Sequence, residues 1–122
     1  CAAANAAIDV FEEEDILGKS RALGARLEER FNDWYRRFPH VDNVRRVGAM
    51  AAFELVKSRD THEPDAEMAA AIVGKVKEKG LILLSCGMYG NTLRFLMPVT
   101  IENEVLEEGL GLIEEALTEV HG

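Results

Sequence analysis

The sequence predicts an α/β fold of two layers, in which a small, largely antiparallel three-stranded sheet packs against helices, rather than a doubly wound sheet. Three observations carry this expectation. Apolar residues recur at three- and four-residue spacing in four long stretches; they alternate or run together in three short ones; and a tight glycine-rich connection, "CGMYGN", joins two of the short ones.

The first helix is predicted over residues 2 to 14, alanine-rich with Ile8 and Phe11 on one face. Its terminal glutamates oppose the helix dipole, so a break falls near Asp15 to Gly18. The second places Leu23, Leu27, Phe31, Trp34 and Phe38 on one face and ends at Pro39, with Arg26, Glu29, Arg30 and Asp33 on its solvated side. From Val44 to Val56 the period changes, and Val47, Ala49, Ala51, Phe53 and Leu55 are expected along one side of a single strand, with Gly48 permitting a bulge or close backbone packing. Polar residues 57 to 63 form a loop. Pro64 suits the first turn of a third helix that turns Met68, Ile72 and Val76 inward and stops at Gly80. "LILLS", from Leu81, is expected as a strand buried on both faces, and "TLRFLM", from Thr92, as the last strand. A final helix from about Glu102 to Val120 turns Leu106, Leu110, Ile113, Leu117 and Val120 inward.

A chain of 122 residues, 48% hydrophobic and 30% charged, suffices for one ordered core. The net charge of -8 is uneven: residues 1 to 17 hold five acids and residues 101 to 122 hold seven, and neither end holds a base. That distribution argues against a nucleic-acid surface, whose basic residues cluster on one face. With two cysteines, no signal peptide and no long apolar span, a cytoplasmic, reducing setting is expected, with no membrane partner. The chain opens with Cys1 inside an alanine-rich helix, which reads as a piece of something larger.

Arg94 is the residue that most needs an explanation. It interrupts an apolar run, and a guanidinium keeps its charge and five donors wherever it is placed. By alternation Thr92, Arg94 and Leu96 face one way, and Leu93, Phe95 and Met97 the other. Arg94 is then either solvent-facing or paired with Glu54, or else it receives an anion; spacing leaves these open. Gly87 and Gly90 form no phosphate-binding motif and read as turn residues, with Asn91 a further turn former. Tyr89 is loop cover or a ligand-facing lid. Cys86 reads as a small buried hydrophobe rather than a nucleophile, and His40, His62 and His121 are scattered as surface residues, with no metal-ligand spacing.

The stretch "GLILLSCGMYGNTLRFLMPVTI" resembles the C-terminal segment of the class III pyridoxal-phosphate-dependent aminotransferases, and its "LLSCG" and "GNTLRFLMPVTI" resemble the 4-aminobutyrate branch of that family. The likeness continues through "CAAANAAIDVFEEEDIL", "VDNVRRVGAMAAFEL" and "DAEMAAAIVGKVKEKG" in family order. One departure is Arg46, where the family usually has glycine after an arginine, so the turn near Gly48 is expected to differ.

The resemblance implies an interdomain helix over residues 1–14 and a small C-terminal domain over residues 15–122. It implies amino transfer from 4-aminobutyrate to 2-oxoglutarate, giving succinate semialdehyde and glutamate, in a homodimer. Pyridoxal 5'-phosphate would be held mainly by a large domain of the same chain, and residues 1–122 alone are expected to be inactive. Arg94 would receive the α-carboxylate of 2-oxoglutarate or glutamate, with Tyr89 and Asn91 shaping the approach. The alternatives are another class III enzyme, of ornithine, acetylornithine or β-amino-acid type, or a free-standing dicarboxylate-binding module.

Overall fold

The computed structural model describes residues 1–121. The elements are α1 (Ala2–Glu13), α2 (Ile16–Arg37), β1 (Val41–Val47), β2 (Met50–Leu55), α3 (Ala66–Glu78), β3 (Leu84–Cys86), β4 (Thr92–Phe95) and α4 (Asn103–His121). The strands form one antiparallel sheet in the order β1-β2-β4-β3. Helices α2, α3 and α4 share one core with its inner face, so the two-layer α/β expectation holds.

Four strands stand where three were expected, because the segment around Gly48 is a hairpin. Gly48 has φ +57, in the left-handed region that a glycine enters without penalty, so the chain reverses there instead of bulging. The Ala49 N–H then donates to Ser20 Oγ at 3.0 Å, which pins the turn to α2. The reversal turns Val47 out to 75% exposure, while Ala51, Phe53 and Leu55 face inward as predicted.

"LILLS" is also corrected. Only Leu83 of its aliphatic residues is buried, Ile82 is 88% exposed, and the paired strand is the short edge segment β3. An edge strand covered by helices on one side only cannot bury alternate residues on both faces. Pro64 lies before α3 rather than in its first turn: it bridges to Val56, and Asp65 is the N-cap, accepting from the Met68 N–H at 2.9 Å. The break between α1 and α2 falls where predicted, at Asp15, whose left-handed backbone and side-chain bond from the Gly18 N–H cap α2.

The core centres on the predicted face of α2. Phe31 and Trp34 are fully buried, and the Phe31 ring lies 4.6 Å from that of Phe95 and 5.1 Å from that of Phe53, between centroids. Burial of each such ring contributes about 2 to 3 kcal/mol. Helix α1 differs: it buries no residue, and Ile8, Val10 and Phe11 are exposed.

Glu114 on α4 ties the helices together at the core's margin, accepting from Trp34 Nε1 at 3.0 Å, Arg30 at 3.0 Å and Arg37 at 2.5 Å. Burial alone pushes this carboxyl up, but the bonds from Trp34 and Arg37 and the adjacent guanidinium charges outweigh it, so Glu114 titrates below its ordinary 4.5. Between the lowered folded value and 4.5 the unfolded chain binds the proton more readily. The stabilisation is therefore complete above about pH 5 and is lost as pH falls through the folded value. Thermal melting between pH 2 and 6 checks this: Tm is expected to drop with acid, and Glu114→Gln to flatten that drop. An unchanged profile in the variant would remove Glu114 as a contributor.

Candidate functional site

The outer face of the sheet is left uncovered by α2, α3 and α4, and Arg94 stands on it. Alternation along β4 buries Leu93 and Phe95 and exposes Arg94, and Leu96 just past its end is exposed as well. Across the sheet Arg94 pairs with Ala52 of β2 and with Leu84 of β3, while Ala52 pairs in turn with Arg45 of β1. Arg94 is thus flanked by Ala52 and Leu84, and Glu54 is its diagonal neighbour on the same face.

Glu54 does not pair with Arg94. Its carboxylate takes Arg45 at 2.8 Å and the Asn43 side-chain amide at 3.0 Å, and Arg94 has no ion-pair partner among the described residues. The sequence left open a Glu54-paired arginine, and the geometry disfavours it. Beside Arg94, between the β3 edge, the end of β4 and α4, runs a groove of about 350 Å³ lined by Ile82, Leu84, Leu96, Val105 and neighbouring apolar residues. Arg94 is the one charged residue in that lining among the described residues.

Asn91 is buried and bonded to the neighbouring strand. It is 3% exposed, its Nδ2 donates to the Leu55 carbonyl at 2.9 Å, and its own carbonyl accepts from the Leu55 N–H at 2.8 Å. It therefore clamps the start of β4 to the end of β2. Tyr89 is 65% exposed at the loop tip, where Gly87 and Gly90 both have positive φ as expected of turn residues. Cys86 is half-buried in β3.

The histidines are not all surface residues. His40 and His121 are half-buried with ring centroids 4.9 Å apart, and burial pushes the His121 imidazole down towards its neutral form. His62 is exposed and meets the buried Asp42 carboxylate at 2.5 Å. No group of three or more potential metal ligands gathers among the described residues. None of the described helices is long and apolar enough to cross a membrane.

Sequence reasoning missed the roles of Asn43 and Arg59. Asn43 has φ +45 at an irregularity in the β1 ladder between Asp42 and Arg45. Arg59 donates to the backbone carbonyls of Phe38 and Val41 at 2.8 and 3.1 Å, and its guanidinium lies 3.9 Å from the centroid of the Tyr35 ring, fastening the end of α2.

Pyridoxal phosphate requires a lysine amine and a cradle for its phosphate, and no described lysine lines the groove beside Arg94. Lys19, Lys57, Lys75 and Lys79 are engaged in surface ion pairs, and Lys77 is exposed on α3. The N-termini of α2 and α3, where a phosphate could bind, are occupied by the carboxylates of Asp15 and Asp65. What this chain does present is the Arg94 guanidinium on the open face, a group whose planar fork can meet an anion.

Comparison with known proteins agrees with this architecture. The chain is 47% identical over 120 residues to a 5-aminovalerate aminotransferase of Pseudomonas putida, covering 98% of this chain and 28% of the relative. It is 42% identical over 119 residues to the 4-aminobutyrate aminotransferase of Escherichia coli, covering 98% of this chain and 28% of that protein. It superposes on a solved Bacillus anthracis aminotransferase with a TM-score of 0.83 at 30% identity, over 91% of this chain and 26% of that one. An amine transaminase from an uncultivated Pseudomonas species, solved in its PLP-bound form, gives a TM-score of 0.84 at 28% identity, over 98% of this chain and 27% of that one. The chain thus spans a little over a quarter of the length of the curated relatives it matches. Residues 1–117 match the family model for aminotransferase class-III, and with these relatives the chain belongs to the class-III aminotransferases.

Proposed function

We propose that residues 15–122 form the small domain of a pyridoxal-phosphate-dependent aminotransferase that passes an amino group from an ω-amino acid to 2-oxoglutarate. In this reading Arg94 receives the α-carboxylate of 2-oxoglutarate or glutamate. The observation that carries it is an exposed arginine on an uncovered sheet face whose diagonal neighbour, Glu54, is held by two other residues. The planar fork of Arg94 offers a carboxylate two parallel charge-assisted bonds, and the apolar side chains of Leu84 and Leu96 reduce competition from water.

Pyridoxal phosphate would supply the electron sink for the transfer and would be held by the rest of the chain, in a homodimer. Residues 1–14 suit a helix that crosses between domains, since α1 buries nothing here and carries exposed Ile8, Val10 and Phe11.

The donor is best described by class. The segment wording resembles 4-aminobutyrate enzymes, yet the relatives include 5-aminovalerate enzymes at 47% and 48% identity beside 4-aminobutyrate enzymes at 44% and 42%. The two donors differ by one methylene, which a hydrophobic pocket discriminates by only about 1 to 3 kcal/mol. Initial rates of the whole enzyme with 4-aminobutyrate, 5-aminovalerate, ornithine, N-acetylornithine and β-alanine test the reading. 4-Aminobutyrate and 5-aminovalerate are each expected to exceed the other three by at least about tenfold in kcat/KM, equivalent to roughly 1.4 kcal/mol. A strong preference for ornithine or N-acetylornithine would remove the ω-amino acid assignment and leave the family intact.

A further inference from the structure

We propose that Arg45 and Asn43 are positioning residues that hold the Glu54 carboxylate away from Arg94 and so keep the Arg94 guanidinium free for a carboxylate substrate; this rests on the reading of Arg94 as receptor. The sheet register creates the need. Ala52 lies opposite Arg94 and Glu54 lies opposite Thr92, so Glu54 and Arg94 are diagonal neighbours on the open face. Such diagonals lie about 7 to 8 Å apart at the backbone, within reach of two long side chains. A glutamate left free there would sit beside Arg94 at an effective concentration on the order of millimolar, comparable with that of a metabolite.

The opposite side of β2 prevents this. Glu54 Oε1 receives Arg45 at 2.8 Å and Asn43 Nδ2 at 3.0 Å, and the same Arg45 guanidinium donates to the Asn43 carbonyl at 3.0 Å. The three residues form a knot on the β1 flank, closed through the Asn43 backbone carbonyl. It depends on the irregularity in β1 between Asp42 and Arg45, where Asn43 adopts φ +45. Asparagine tolerates that conformation better than most residues, and ladder irregularities of this kind re-aim side chains beside functional sites. The knot takes up the acid that this chain's own sheet sets diagonally to Arg94.

The test uses the whole enzyme with 2-oxoglutarate as the varied substrate. Arg45→Ala is expected to raise KM about fivefold with kcat within about twofold, because the loss falls on binding. Asn43→Gly keeps the positive φ and changes no charge, and it is expected to raise KM about twofold, which separates release of Glu54 from a general loss of positive potential. Glu54→Gln alone should leave KM unchanged, and on the Arg45→Ala background it should return KM to within about twofold of the parent. Failure of that rescue, a marked fall in KM for Glu54→Gln alone, or unchanged KM in both Arg45→Ala and Asn43→Gly would overturn the proposal, provided Arg94→Lys raises KM in the same assay. If Arg94→Lys leaves KM unchanged, the receptor reading itself fails and this inference falls with it.

Discussion

Arg94→Lys in the whole enzyme is expected to weaken 2-oxoglutarate binding by about 1.5 to 3 kcal/mol, about tenfold to a few hundredfold, and Arg94→Ala to weaken it further. Lysine keeps the charge and loses the planar pair of donors, so the loss reports geometry rather than charge alone. Because Arg94 is exposed and has no protein partner among the described residues, unfolding free energy should move by no more than about 0.5 kcal/mol. The half-reaction with an ω-amino acid should suffer less, since such a donor has no α-carboxylate. Single-turnover measurements of each half-reaction separate the two. Equal losses in both, or near-parental handling of 2-oxoglutarate, would return Arg94 to a solvent-facing surface role.

Gly24→Ala is expected to destabilise the fold by about 2 to 3 kcal/mol, against the ordinary gain of up to about 1 kcal/mol when alanine replaces a helical glycine. The reason is a backbone approach. A Cβ at Gly24 would lie 1.8 Å from the Gly48 carbonyl oxygen, and that atom belongs to the hairpin turn rather than to a side chain that could swing away. Gly74 of α3 provides the opposite case, with nothing within 4 Å of an added Cβ, so Gly74→Ala should stabilise by about 0.5 to 1 kcal/mol. Chemical denaturation of the two variants side by side gives the result directly. A neutral or stabilising Gly24→Ala would mean that the hairpin is not seated on α2 as described.

The same contact explains where the sequence was and was not legible. The repeat Leu23, Leu27, Phe31, Trp34 names the buried face of α2 without ambiguity, because large apolar residues at that spacing have one consistent use. The hairpin escaped notice because alternation before and after Gly48 reads as one strand, and the feature that decides for a turn, the Ser20 and Gly24 seat on α2, lies more than twenty residues away. Aliphatic "LILLS" read as buried because hydrophobicity does not say whether a strand is central or at an edge. The face of Arg94 was legible from β4 alone. Whether Glu54 would neutralise it was not, since that depends on Asn43 and Arg45 from a third strand and on a backbone irregularity that leaves no sequence signal beyond an asparagine.

The Asn91 clamp makes the Arg94 site a matter of counting. Both hydrogen-bonding ends of Leu55 are engaged by Asn91, so that pair is the zero mark from which β4 is measured, and Arg94 stands three residues beyond it. An odd position on this ruler looks out and an even one looks in: Leu93 and Phe95 go to the core while Arg94 goes to the open face. One residue inserted between the mark and the arginine would invert that parity, driving a guanidinium into the aromatic cluster and two large apolar side chains into water. Residues 87 to 90 precede the mark, so an insertion there leaves the count intact. The connection is free to change length on the glycine side of Asn91, and the three steps from Asn91 to Arg94 are not.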